Sequence, residues 1–329
     1  MHIPDGYLSP QTCGVTYAAM IPIWAIAARK ARNALGIKQI PTLSLGAAFS
    51  FVAMMFNIPV PGGTTAHIAG GVLIAVALGP WAACIALTSV LAIQALVFQD
   101  GGITTFAANC FNMAFAGPMI GWLIYRVLAG GSIRRRSVAA AVGGYVGICA
   151  SAILTALVCG IQPLIARDSA GLPAYSPFPL KTWLIAMGAS HFLLIGPIEG
   201  VITGLVVSYL LKTEKAELAP VQAVSKRPIL IALAVLIIAM PLGFLVPEWL
   251  GWGGAFGEWG GGELKHIVGF VPKGLNWLSD IWRAPLPDYA LPNQTRWLSV
   301  AYLITGLVGA ALVGLIALAV GRAISRRKG

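Results

Sequence analysis

Apolar runs of membrane-spanning length, separated by short polar and basic clusters, extend along almost the whole chain. Helices are expected near residues 9–28, 42–56, 66–78, 81–98, 106–128, 138–160 and 182–211, and two more near 229–246 and 297–320. The third is short, and its separation from the fourth rests on the Gly79-Pro80 break. A polar, charged stretch between Leu211 and Pro228 reads as a cytoplasmic linker. It divides the chain into a seven-helix domain (1–211), a linker (212–228) and a two-helix appendage (229–329). The appendage carries a long loop rich in Gly and Trp (Trp249, Trp252, Trp259, Trp277, Trp282), a composition that suits the lipid interface or a cover over the body.

Composition agrees with that pattern. Of 329 residues, 58% are hydrophobic and only 10% charged, and the mean hydropathy is +0.83, which together define an all-α integral membrane protein with about nine transmembrane helices. Charge then orients it. Sixteen of the 22 Lys and Arg fall on one side: Arg29, Lys30, Arg32 and Lys38; Arg126 and Arg134 to Arg136; Lys212, Lys215, Lys226 and Arg227; Arg322 and Arg326 to Lys328. The positive-inside rule makes that side cytoplasmic, with the N-terminus outside and the C-terminus in the cytoplasm. The net charge of +11 does not point to nucleic acid, because the clusters are short and lie at helix ends beside lipid headgroups. Cys13, Cys84, Cys110, Cys149 and Cys159 have no metal-ligand spacing and are expected to be small packing residues without disulfides.

The chemistry begins at the first residue. Met1-His2-Ile3-Pro4-Asp5-Gly6-Tyr7-Leu8-Ser9-Pro10 is punctuated as structure: Pro4 extends Ile3, Asp5-Gly6 makes a turn, and Ser9 caps a helix that starts at Pro10. It lacks the basic n-region of a signal peptide. With Met1 retained and deformylated, its amine, the His2 amide and the His2 Nδ1 close a five- and a six-membered ring on one metal ion. Three nitrogens then lie in a plane, a set that suits Ni(II) or Cu(II) rather than Mg, Ca or tetrahedral Zn. The fourth corner needs another donor. His67 follows a Pro/Gly loop from Asn57 and is expected in the first turn of a Thr-capped helix on the same side as His2. There the helix dipole keeps an imidazole neutral and available. A lone histidine in such a place is more often a capping or packing residue; the incomplete chelate favours the ligand reading.

Other polar residues have two readings each. His191 and Glu199 lie inside the seventh span, where Glu199 reads as hydrogen-bonded glue ahead of an ion relay. Asp100, Asn109 and Asn112 either orient ligand imidazoles or cap helices, and His266 and Glu263 read as loop surface. The chain has no G-x-x-x-x-G-K-[ST] and no H-E-x-x-H, so ATP hydrolysis by its own P-loop and zinc-protease chemistry are not expected. It also lacks a ladder of intramembrane carboxylates for proton coupling.

The N-terminal decapeptide together with Pro61-Gly62-Gly63-Thr64-Thr65-Ala66-His67 resembles the substrate-capture component of energy-coupling factor nickel and cobalt transporters, the NikM/CbiM family. The resemblance covers about residues 1–211, and the appendage resembles the small two-helix partner NikN. It implies metal ligation by Met1, His2 and His67. It also implies partnership with a transmembrane coupling component and two cytoplasmic ATPase subunits in a cell membrane. The Pro4-Asp5 form and the fusion lean towards nickel(II) over cobalt(II) as the transported ion. Small residues along the first span, Gly14, Ala18, Ala27 and Ala31, either admit a coupling helix or pack within the bundle. A self-sufficient channel or carrier and a membrane metalloenzyme are the competing classes. The enzyme would need an open metal position, which a filled plane does not leave.

Overall fold

The structure, a computed structural model, describes residues 1–60, 64–217, 227–249, 259–291 and 298–325. Pro61 to Gly63 of the loop before His67, most of the 212–228 linker, Trp252, Arg296 and the basic residues 326–328 lie outside them. The fold is all-α apart from one small hairpin. Among the described residues six helices are long and apolar enough to cross a membrane: Pro10–Ala34, Pro80–Phe98, Phe106–Leu128, Ile133–Ile165, Leu180–Thr213 and Ser299–Ala323. The protein is a multi-pass membrane protein.

Local sequence explains the boundaries. Ser9 accepts a hydrogen bond from the Thr12 N–H (3.3 Å) and Pro10 opens the first helix, as its cap signature predicts. The expected eighth span is two pieces, Arg227–Ala239 and Leu242–Trp249, because Pro241 cannot donate to the helical ladder. The helix Pro80–Ile93 is buried on nearly every side and packs against Pro10–Ala34, the shorter helix Ile40–Met54 and the last helix, Leu298–Ser325. The last helix, Leu298–Ser325, lies along Ile40–Met54: Ser44 donates to the Gly314 carbonyl at 2.6 Å, and Tyr302 to the Met55 carbonyl at 2.6 Å. A side chain at Gly309 would strike the Phe51 ring, so glycine sets how closely these two helices approach.

Two expectations need correction. The third segment is not a span beginning at residue 66. Thr64–Ala66 forms a strand paired antiparallel with Ile58–Val60, His67 to Ala69 are irregular, and the helix runs only Gly71–Leu78. At 1.5 Å per residue, eight residues rise about 12 Å, well short of a bilayer core. The β-branched Thr64 and Thr65 favour the strand, and Gly70 at φ +67°, five residues beyond the Thr pair, caps the helix. His67 therefore stands before the helix, outside its first turn. The small residues of the first helix also divide. Ala27 and Ala31 are fully buried within the bundle and unavailable to a partner, whereas Gly14 and Ala18 face outwards.

The five cysteines are buried free thiols. The Trp-rich loop covers the body at the end that holds the N-terminus. Tyr7 donates to the Trp259 carbonyl (3.1 Å), Gly274 N–H to the Ala174 carbonyl (2.7 Å), and Trp282 Nε1 to the Leu96 carbonyl (3.0 Å).

Candidate metal centre

The N-terminus is threaded into the protein. Met1, His2 and Ile3 are each at most 1% exposed, and every polar backbone group along this stretch that the helices do not serve must find a partner elsewhere. The Met1 amine donates to the Thr65 carbonyl and to Thr65 Oγ1 at 3.3 Å, which sets the chain terminus on the strand just before His67. Thr64 Oγ1 donates to the His2 carbonyl at 2.7 Å. Asn109 clamps Ile3 with both ends of its amide: Oδ1 accepts the Ile3 N–H (2.9 Å) and Nδ2 donates to the Ile3 carbonyl (3.1 Å). Asp5 closes the far end of the segment. Its carboxylate accepts from the Ile103 N–H (3.0 Å), the Thr104 N–H (2.7 Å) and the Thr104 hydroxyl. Pro4 and the Gly6 turn (φ +85°) shape the path between these anchors.

This threading brings the two histidines together. The His2 and His67 rings stack with centroids 4.7 Å apart and planes 25° from parallel, and His67 is fully buried. His67 Nδ1 lies 3.2 Å from the Ile68 carbonyl, a hydrogen bond that assigns the proton to Nδ1 and leaves Nε2 as a lone-pair donor. That Nε2 is buried with no hydrogen-bond partner among the described residues. A buried polar atom left without a partner is costly unless something satisfies it. Both nitrogens of the His2 ring face acceptors: Nδ1 lies 2.9 Å from Asp100 Oδ1, and Nε2 lies 3.2 Å from Gln94 Oε1.

Electrostatics favour an ionised acceptor beside His2. Burial pushes the Asp100 carboxyl up, but the adjacent His2 and the Tyr289 hydroxyl outweigh burial and hold it below the usual carboxylate range. Burial, and then the charge of Asp100, push the Tyr289 phenol well up, so Tyr289 stays protonated and donates to Asp100 Oδ2 at 2.5 Å.

The remaining candidates separate by contact. Asp100 touches an imidazole, Asn109 holds backbone, and Asn112 donates to Thr155 (3.2 Å) away from the histidines. Glu199 receives the Ala69 N–H at 2.9 Å and the Gly70 N–H at 2.9 Å, fastening the segment that follows His67. His191 is buried in the seventh span with Nδ1 2.9 Å from the Met187 carbonyl. His266 is exposed, and Glu263 caps its own short helix through the Gly260 N–H (2.7 Å). Sequence reasoning missed Gln94, Thr64, Thr65 and Tyr289. Gln94 left one signal, an amide inside an otherwise apolar span.

A polytopic helical membrane protein that buries its N-terminus beside the stacked His2 and His67 rings gathers several nitrogen donors in one pocket, a donor set that suits borderline transition-metal cations. The chain belongs to the CbiM family, described as cobalt uptake substrate-specific transmembrane region, whose model matches residues 2–217. It is 41% identical to the fused nickel transport protein NikMN of Rhodobacter capsulatus, with all of both chains covered. It is 38% identical to the probable fused nickel transport protein LarMN of Lactiplantibacillus plantarum, with 93% of each covered. A crystal structure of a truncated transition metal transporter matches 64% of this chain and 99% of its own at 50% identity, with a TM-score of 0.62.

Proposed function

We propose that the protein captures nickel(II) as the substrate-binding subunit of an ATP-driven energy-coupling factor uptake system. The ion is held by four nitrogens: the Met1 amine, the His2 amide, the His2 imidazole and the His67 imidazole. The observation that carries this reading is the burial of Met1, His2 and His67 in one pocket, with the His67 Nε2 lone pair unpartnered. A planar set of nitrogens that includes a deprotonated amide is a strong-field set that suits square-planar nickel(II). Cobalt(II) capture by the same donors is the second reading, supported by the family's description. The full-length likeness to fused proteins named for nickel favours nickel.

The sequence has no P-loop, so the energy for concentrating an ion comes from partners. A transmembrane coupling component and two cytoplasmic ATPase subunits fill that role. Such a system works only if the loaded site has two states that differ in affinity and access. On this reading the 1–211 domain holds the metal from the extracytoplasmic side, and the two-helix appendage of 229–329 covers it.

The test is titration calorimetry of the purified chain with nickel(II) and cobalt(II). One extra residue before Met1 buries the amine in a peptide bond, and His2→Ala removes an imidazole and a chelate ring. Each change abolishes high-affinity nickel binding while the far-ultraviolet circular dichroism stays helical. His67→Ala weakens binding less, because three chelating nitrogens remain. Wild-type affinity in the extended chain would exclude the four-nitrogen site.

A further inference from the structure

Three side chains close a ring around the His2 imidazole, and one of them comes from the far end of the sequence. Asp100 presents Oδ1 to His2 and accepts the Tyr289 hydroxyl on Oδ2. Gln94 presents Oε1 to His2, while its Nε2 lies 3.3 Å from Asp100 Oδ2 and 3.4 Å from the Tyr289 hydroxyl. All four residues are buried.

The segment that delivers Tyr289 is docked on the turn that carries Gln94 and leads into Asp100. Residues Gln94–Phe98 form a wide helical turn, a local distortion that recurs at functional sites. Its carbonyls are taken up from outside: Trp282 Nε1 donates to Leu96 (3.0 Å) and the Leu286 N–H donates to Val97 (3.0 Å). Asp288 and Tyr289 both adopt left-handed backbone, at φ +53° and +59°, which residues other than glycine rarely hold unless their surroundings impose it. Here packing imposes it. The Tyr289 ring stacks on Phe98 (4.6 Å between centroids, 17°) and meets Phe51 and Tyr302 edge-on, and its carbonyl accepts from Thr305 Oγ1 at 2.9 Å.

We propose that Tyr289 is a positioning residue for the metal site, acting through Asp100 to fix the orientation and tautomer of the His2 imidazole. The proposal rests on the four-nitrogen reading. As seated, His2 directs Nδ1 at Asp100, whereas a chelate with its own amide uses Nδ1. A half-turn about the Cβ–Cγ bond exchanges Nδ1 with Cδ2 and Nε2 with Cε1. It frees Nδ1 and sets the Nε2–H between the same two acceptors, Asp100 Oδ1 and Gln94 Oε1. A ligand histidine whose second nitrogen donates to a carboxylate is oriented and made more basic. Asp100 does this only while its own position is held, and the Tyr289 hydroxyl at 2.5 Å is the shorter of the two donors that hold it, the Gln94 amide being the other at 3.3 Å. Capture by residues 1–211 thereby depends on a hydroxyl that lies beyond residue 217, where the family match ends.

A double-mutant cycle on the full-length chain tests the link. Tyr289→Phe removes only the hydroxyl and leaves the ring to stack on Phe98. It is expected to weaken nickel(II) binding by about tenfold while the visible spectrum of the loaded protein keeps its planar four-nitrogen signature. Asp100→Asn tests the same link from its other end and is expected to cost at least as much. In the Asp100→Asn background, adding Tyr289→Phe changes the affinity by less than about twofold, because the two act as one unit. Wild-type affinity in Tyr289→Phe, or an equal loss in both backgrounds, would overturn the relay and leave the four-nitrogen site standing. The chain extended before Met1 is measured alongside; undiminished binding there would overturn the site and the relay together.

Discussion

At the scale of single residues the site depends on protons being absent. In the proposed four-nitrogen site, metal binding displaces a proton from the Met1 amine and from the His2 amide, so affinity falls as pH falls. Nickel affinity measured by calorimetry should drop by at least about tenfold between about pH 7.5 and about pH 5.5. Asp100 behaves oppositely in its range. Its folded value is depressed, so its contribution to stability is present above the ordinary carboxylate range and is lost only as pH falls through that lowered value. Metal release on acidification should therefore precede the loss of the Asp100 contribution to stability, and a melting curve recorded beside the titration checks the order. The backbone clamp is also a residue-scale device. Asn109→Ala leaves the buried Ile3 N–H without its acceptor, while the carbonyl keeps Gly102 and Thr105 as donors, at a cost of about 1–3 kcal/mol, read as a lower melting temperature.

At the scale of elements, the short helix Gly71–Leu78 and the hairpin before it exist to present His67. Glu199 is anchored on the helix Gly196–Glu217 and reaches across to two N–H groups at Ala69 and Gly70, fixing the irregular stretch between strand and helix. Gly70 sits at φ +67°, and a Cβ there would meet the Phe49 ring and Ser50 Oγ. Gly70→Ala should destabilise by about 1–2 kcal/mol from backbone strain alone. Glu199→Gln keeps the size but replaces an acceptor oxygen with an NH2 group facing N–H donors. It should lower the melting temperature and weaken nickel binding together, because His67 loses its fixed neighbour. Normal affinity in a destabilised Glu199→Gln chain would show that His67 is positioned independently of this helix. The spacing of residues 64 to 71 left this arrangement only half legible. A Thr pair followed by a histidine reads equally as a helix cap, and the distinction lay in the pairing of Thr64–Ala66 with Ile58–Val60, a contact with no local signature.

At the scale of the whole molecule, the last helix and the loop before it are part of one packed body with the first two hundred residues. Ser44 to Gly314, Tyr302 to Met55 and Tyr289 to Asp100 join the two ends of the chain. Removing residues 227–329 should expose Phe51, Phe98 and the Asp100 carboxylate, and reduce both thermal stability and nickel affinity. Transport makes a separate demand. Cells expressing this chain alone should bind nickel without concentrating it, and accumulation of radioactive nickel should require the coupling and ATPase subunits. Uptake without them would favour a self-sufficient carrier.

Composition and run length were enough to establish a multi-pass helical membrane protein, because burial in lipid demands long apolar helices with their backbone groups satisfied internally. The proposed N-terminal chelate could likewise be read from the sequence, since its nitrogens are neighbours along the chain and their ring sizes follow from covalent geometry. What lay beyond the sequence was every pairing between distant positions: Met1 on Thr65, Asn109 on Ile3, Glu199 on Gly70, Tyr289 on Asp100. These are hydrogen bonds made where buried polar groups from different elements meet, and which groups meet is set by helix packing rather than by the residues flanking any one of them.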